Sequence, residues 1–410
     1  MRVSQQRLQN DLEAIGRFGR LEKGGYSRLA FTEPDRQARN WLQQQMRDIG
    51  LDVSIDALGN IRGRREGKQD LPPVLIGSHL DTVPEGGNYD GIIGVLAGLE
   101  VIRVLNEQTI KTERPIEVVN FSAEESSRFS VATLGSKAMA GKLAPESLQS
   151  LVDKEGCTLQ QALHQCGYSG EPAAARIAPG QLHAFLELHI EQGPVLEAGN
   201  VDVGIVTAIA AATRFRVTIE GRADHSGNTP MGMRKDALAA ASEIVLGVEQ
   251  ICGKEAGERT VGTVGYQHIS PGAMNVVPGR VELGIDIRDV KMADKDVAVA
   301  KVIALMKGVA QRRDLKIDYQ QLCNDQPVEL SPKIIDCLQK NADQLHLSSL
   351  QMPSGAGHDA MNLVGLTDVG MIFVPSVDGV SHNVAEFSRM EDICRGSDLL
   401  LHTVLQLAQE

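Results

Sequence analysis

Residues 74–94 constrain this chain most. An apolar run, Val74-Leu75-Ile76-Gly77-Ser78, ends in His79, and Asp81 follows two residues later. The loop Pro84-Glu85-Gly86-Gly87-Asn88-Tyr89 then delivers Asp90 and Gly91 to the start of an apolar helical pattern containing Gly94 and Gly98. The spacing predicts a buried strand, a Gly-rich loop and a helix packed closely on a sheet. Residues two apart on a strand share a face, so His79 and Asp81 can point to one place, and the loop can return Asp90 to it. A His with carboxylates at the end of a buried strand is the raw material of a metal site. Taken singly, each residue also has a plainer reading. His79 is then a hydrogen-bonded structural His, Asp81 a turn residue, and Asp90 a helix cap.

The remaining chain falls into two rhythms. Helices are expected over 3–18 and 32–49, the second capped by Thr32 with Pro34 in its first turn. Short strands at 51–55 and 60–64 follow. A strand at 116–122 opens into Glu124-Glu125, small helical pieces occupy 143–180, and a strand at 183–190 runs into Glu191-Gln192-Gly193. A further strand spans 201–209. The second rhythm is strand 214–221, helix 234–252, strands 260–269 and 280–289, helix 291–312 and strand 315–322, the β-α-β-β-α-β order of a ferredoxin-like unit. After Pro327 the first rhythm resumes with a helix at 331–345, a Gly-rich loop at 354–359, a strand at 369–374 and a last helix from 389. The expected architecture is therefore an α/β domain formed by 1–210 and 327–410, with an α+β ferredoxin-like domain inserted at 211–326.

A chain of 410 residues suits two to three domains. A net charge of -12 argues against nucleic acid or an anionic membrane as partner, while leaving room for a local basic pocket that takes a small anion. Cysteines 157, 166, 252, 323, 337 and 394 form no C-x-x-C pair and read as reduced thiols of a cytoplasmic protein. No apolar signal region is expected near Met1, and no run approaches the ~18 apolar residues of a membrane span.

Polar clusters recur where predicted strands end: His79/Asp81, Asp90, Glu124/Glu125, His189/Glu191 and Ser381-His382-Asn383. Open α/β sheets gather their sites at strand carboxyl ends, so these clusters can meet. Imidazoles with carboxylates suit divalent first-row ions, and one shared carboxylate could bridge two of them ~3.5–4 Å apart and so activate water near neutral pH. The plainer reading makes the His residues structural and Glu124-Glu125 a pair of solvated acids.

Five segments carry a resemblance. Gly77-Ser78-His79-Leu80-Asp81-Thr82, Gly86-Gly87-Asn88-Tyr89-Asp90-Gly91, Glu124-Glu125, Glu187-Leu188-His189-Ile190-Glu191-Gln192-Gly193 and Gly379-Val380-Ser381-His382-Asn383 resemble the hydantoinase/carbamoylase branch of the dinuclear-metal amidohydrolases. The likeness runs in order along nearly the whole chain; N-carbamoyl-L-amino acid hydrolases, allantoate amidohydrolases and β-ureidopropionases of this kind share these motifs, and the wider superfamily also holds aminoacylases and glutamate carboxypeptidases. It implies a zinc-peptidase-like mixed-sheet catalytic domain with an inserted lid and dimerisation domain. It implies two divalent ions per subunit (Zn, Mn, Co or Ni), with His79 and Asp90 on one ion and Asp90 bridging to the second. Glu125 and His382 would complete one ion and His189 the other. Glu124 would be the general base, and Asp81 would fix the tautomer of His79.

The resemblance extends to the insert. Asp224-His225-Ser226-Gly227-Asn228 resembles the family's lid loop, which implies that His225 stabilises the oxyanion and that a homodimer completes each active site. Asn275 and Arg288 match positions that hold the substrate carboxylate, and the planar fork of Arg288 suits that task, its alternative being a surface Arg paired to Asp286 or Asp289. Gln192, Arg214, and Gly357 with His358 in the Gly-rich loop are further candidates for substrate contact. Ala210-Ala211-Ala212-Thr213 departs from the Gly-Gln type of sequence found here in ureide-processing relatives. The implied reaction is hydrolysis of a ureido C–N bond in an N-carbamoyl-L-amino acid, with allantoate as the alternative substrate and a dipeptide or acyl amino acid after it.

Overall fold

The computed structural model describes residues 1–410. The chain divides into two compact units, one of residues 1–207, 330–352 and 357–410, the other of 208–329 and 353–356.

The first unit is built on a mixed sheet. Its strands lie in the order Asp52–Ile55, Ile61–Arg65, Ile116–Phe121, Val74–His79, Ala184–Ile190, Asp368–Val374 and Val203–Ile209. The middle four run parallel, with Val74–His79 between Ile116–Phe121 and Ala184–Ile190. Antiparallel pairs flank them, Ile61–Arg65 on one side and Gly204-Ile205 on the other. Parallel strands need both faces covered, and Val74–His79, Ile116–Phe121 and Ala184–Ile190 are buried along their whole lengths. Along Ala184–Ile190, Leu186, Leu188 and Ile190 enter a core shared with the helices Gln5–Ile15, Ile92–Glu107, Pro332–Gln344 and Met390–Ala408. By alternation Phe185, Glu187 and His189 face the other way. The short helices between 134 and 175 pack into a second apolar cluster that includes Phe129, Leu134 and Leu163.

Two expected caps differ. Thr32 precedes the helix Glu33–Asp48, but its hydroxyl donates to the Leu29 carbonyl, and Asp35 accepts the Phe31 N–H instead. Asp90 does not cap Ile92–Glu107, because Gly91 intervenes at the N-cap with φ near 71°. A Cβ there would collide with the His79 imidazole, so this position requires glycine sterically as well as conformationally.

The second unit carries an antiparallel sheet in the order Lys316–Asn324, Ala211–Glu220, Arg280–Asp289, Val261–Ser270. Helices Ala237–Gln250 and Met292–Arg313 bury one face against Phe215, Val217, Ile219, Val281, Leu283, Ile285 and Ile287. Asp236 sets the start of the first helix, later than the expected 234, by accepting the Leu238 and Ala239 N–H groups. The uncovered face holds the alternate residues, among them Arg214, Asp286 and Arg288.

Candidate metal centre and active site

His79 and His189 stand at the carboxyl ends of neighbouring parallel strands, which brings two imidazoles to one edge of the sheet. Each ring is oriented by a backbone carbonyl. His79 Nδ1 lies 2.9 Å from the Asp81 carbonyl oxygen and His189 Nδ1 2.9 Å from that of Ile190. A carbonyl only accepts, so Nδ1 carries the proton in both rings and Nε2 is left to bind.

Asp90 lies between two donor groups. Its Oδ1 is 3.1 Å from His189 Nε2 and 3.6 Å from His79 Nε2. Its Oδ2 is 3.3 Å from His382 Nε2, which is also 3.3 Å from Glu125 Oε1. His79, Asp90 and His189 thus form one potential ligand set, and Asp90, Glu125 and His382 another. The donors fit divalent first-row cations, imidazole and carboxylate both being represented in each set. A third set joins Glu187, His189 and His358, whose ring stands 4.5 Å from that of His189.

The electrostatics match this division. Burial pushes Asp90 up, but His189, His382 and His79 outweigh it and hold the carboxyl well below its usual range. Hydrogen bonds to Asp90 and Glu125 push His382 up to about 11. Burial lowers His79, yet Glu124, Asp90 and Asp81 hold it well above an ordinary imidazole. The carboxylates therefore draw positive charge to these three rings.

Glu124 is buried and belongs to neither set around Asp90, its Oε2 lying 3.8 Å from His79 Nε2. Burial, reinforced by Glu125, raises its carboxyl well above the usual range. A carboxyl with high proton affinity suits proton transfer at neutral pH. Asp81 supports this segment. Its two oxygens accept the N–H groups of Glu124 and Glu125 at 3.2 and 3.0 Å, and burial lifts it to about 7. Its carboxylate stands 3.7 Å from His79 Nδ1, so the Asp81 carbonyl, not the side chain, is the hydrogen-bond partner of that ring.

Other candidates are placed as follows. Gln192, at φ 59°, donates through Nε2 to Asp90 Oδ2. Glu191 is turned away, accepting the N–H groups of Val195 and Leu196 at 2.8 Å each. Gly357 is exposed, whereas His358 is buried and held well below an ordinary imidazole by that burial and by His189. In the second unit, strand register sets Asp286 opposite Arg214, and Arg288 lies two residues along. Asp286 Oδ2 accepts from Arg214 Nε at 2.8 Å and Oδ1 from Arg288 Nε at 2.9 Å, while Arg288 Nη1 donates to the Gly355 carbonyl at 3.0 Å. These three residues line a groove of about 470 Å³ with Val261, Tyr266 and Leu322. His225 Nδ1 accepts the Gly227 and Asn228 N–H groups at 3.1 Å each, which leaves the proton on Nε2 as an outward donor. Asn275 is exposed on the adjoining segment, its carbonyl accepting the Ser226 N–H.

Sequence reasoning named Asp286 as a possible partner of Arg288, and the two pair, but it did not foresee that Asp286 also accepts from Arg214. It missed Glu386. Glu386 follows His382 by four residues in a loop, where no periodicity points to it.

Residues 75–406 match the model of peptidase family M20/M25/M40. The chain belongs to this family. It is 43% identical over 410 residues to an N-carbamoyl-L-amino acid amidohydrolase of Geobacillus stearothermophilus, covering 99% of each chain. It is 34% identical over 405 residues to the allantoate amidohydrolase of Escherichia coli K12, covering 98% of each. A hydantoinase/carbamoylase family amidase from Burkholderia multivorans has a similar structure, with TM-score 0.93, 38% identity, and coverage of 100% of this chain and 99% of that one. The chain is accordingly a metal-dependent amidohydrolase with the mixed α/β fold of its family. Family members use divalent metals, and the sets around Asp90 supply the ligand types they require. No helix is long and apolar enough to cross a membrane.

Proposed function

We propose that this amidohydrolase cleaves the ureido C–N bond of an N-carbamoyl-L-amino acid, and that His79, Asp90, Glu125, His189 and His382 hold two divalent ions, Zn, Mn, Co or Ni. The observation that carries the reading is Asp90, with each carboxylate oxygen turned to a different donor set. The similarity to the Geobacillus carbamoylase supports the choice of substrate. Bound ions would supply Lewis-acid polarisation of the carbonyl and lower the pKa of water.

The chain's own groups have assigned tasks. Glu124 takes a proton from the attacking water and returns it to the leaving nitrogen, a role consistent with its raised proton affinity. Asp81 holds the Glu124-Glu125 backbone in place. His225 offers its Nε2–H to the oxyanion, and Arg288 with Asn275 and Arg214 binds the substrate carboxylate. Gln192, Gly357 and His358 are assigned to the ureido end. Water adds at the carbonyl carbon and the C–N bond breaks. The amino acid leaves with the returned proton, and the carbamic acid falls to ammonia and carbon dioxide. The reading includes a cytoplasmic homodimer in which the inserted domain acts as lid.

A substrate panel on metal-reconstituted protein tests this. N-carbamoyl-L-amino acids should turn over fastest, and exhaustive chelation should abolish turnover until metal is returned. Faster turnover of allantoate would transfer the assignment to that ureide, and preference for dipeptides would refute the ureido reading. Full activity after metal removal would refute the metal site.

A further inference from the structure

The loop that delivers Asp90 and the loop that delivers His382 are far apart in sequence, and no strand pairing joins them. One buried carboxylate does. Glu386 Oε1 accepts the backbone N–H groups of Tyr89 at 3.0 Å and Asp90 at 3.1 Å. Its Oε2 accepts the Ser381 hydroxyl at 3.0 Å and the His382 N–H at 3.2 Å. All four groups belong to the two ligand-bearing segments, Oε1 facing the Asp90 loop and Oε2 the His382 loop. Ser381 extends the link, since its single hydroxyl proton is shared between Glu386 Oε2 and Asp90 Oδ2, the latter 2.9 Å away.

The sequence makes room for this carboxylate. Gly87 lies in the Asp90 loop, and a Cβ there would collide with both the carboxyl group and the Cβ of Glu386. The backbone of Gly87 does not sit at positive φ, so its need for glycine comes from the space that Glu386 fills. The residue is 5% exposed, and burial together with the neighbouring Asp90 charge works against its ionised form. A buried anion beside another anion is unfavourable unless its hydrogen bonds offset the cost. Three backbone N–H groups and the shared Ser381 proton supply such bonds.

We infer that Glu386 is a positioning residue that clamps the Asp90 loop to the His382 loop and so sets the spacing of the ligands Asp90, Glu125 and His382. The inference rests on the metal reading of those ligands. Partners that orient ligands commonly contribute about 10–100-fold to metal affinity.

Zinc dissociation constants, measured on the metal-stripped full chain by competition with a chromophoric chelator, test the clamp. Circular dichroism confirms the fold of each variant. Glu386→Ala should weaken zinc about 10–100-fold. Glu386→Gln should fall between, because its amide oxygen still receives Tyr89 and Asp90 while its NH₂ opposes the His382 N–H. Gly87→Ala should weaken zinc in the parent, yet less than about twofold further in a Glu386→Gly background, since both the carboxyl and the Cβ it meets are then gone. Parental affinity in folded Glu386→Ala, or an equal Gly87→Ala penalty in both backgrounds, would overturn the clamp. If Glu386→Ala does not fold, Glu386→Gln and Gly87→Ala decide alone, and parental zinc affinity in both overturns the inference. A parent that binds no zinc refutes the metal reading itself, a distinct result.

Discussion

Replacing Glu124 by Gln isolates proton transfer from everything else this residue touches. The substitution conserves volume in a buried position, keeps the backbone N–H that Asp81 accepts, and removes only the ability to carry a proton. General base catalysis contributes about 10²–10⁴-fold, or about 3–5 kcal/mol of barrier. Turnover should drop by that factor. Metal content should not, because Glu124 lies outside both ligand sets around Asp90. Stability gives a second readout. Burial raises the Glu124 carboxyl well above its usual range, so the folded chain binds that proton more tightly than an unfolded chain would. Stability contributed by this group is therefore present at low pH and lost as pH rises from the ordinary Glu range toward the raised folded value. Gln removes that loss, so the metal-free variant should melt no lower than the parent at pH 8. Steady-state kinetics, metal analysis and thermal melts on one preparation check all three. Turnover within tenfold of the parent at full metal loading would remove Glu124 from the role of base. Loss of metal in the variant would make it a ligand instead.

Two further outcomes are expected. Arg288→Ala should raise KM for an N-carbamoyl-L-amino acid at least about tenfold while leaving KM for the corresponding carboxamide unchanged, since only the former presents an anion to the guanidinium. Equal effects on the two substrates would assign Arg288 to the sheet, where it already pairs with Asp286. Zinc binding should release protons near neutral pH, because Asp90 and Glu125 hold His382 protonated up to about 11 and the ring must be neutral to coordinate. Apparent affinity should then rise as pH rises, by up to about tenfold per unit for each proton displaced. Calorimetric titrations in buffers of different ionisation enthalpy read this directly, and zero net release would contradict it.

Much of this was legible because it is local. Apolar runs mark the buried parallel strands, and the β-α-β-β-α-β order of the second unit follows from period and length. His79, Asp90, Glu124, Glu125, His189 and His382 stand out because each follows a strand or sits in a motif with fixed spacing. Roles that depend on direction were less legible. Asp81 and His79 share a spacing that suggests a side-chain contact, yet the Asp81 carboxylate turns to the Glu124 and Glu125 amides and leaves the ring to its own carbonyl. Glu191 has the same two-residue offset from His189, but the helix start at Val195 captures it. Equal spacings thus end in different contacts, because the nearest unpaired N–H groups decide where a carboxylate points.

Sequence alone settled the order of the main helices and strands, the residue types of the candidate metal-binding groups and the family. Tertiary structure decided which donors share an ion-sized space and what holds them there. Asp90 divides the candidate ligands through the separate directions of its two oxygens, and Glu386 joins two loops nearly three hundred residues apart. Sequence spacing carries no information about such contacts. Only the packed backbone brings their N–H groups to one carboxylate, and burial then obliges them to be satisfied there.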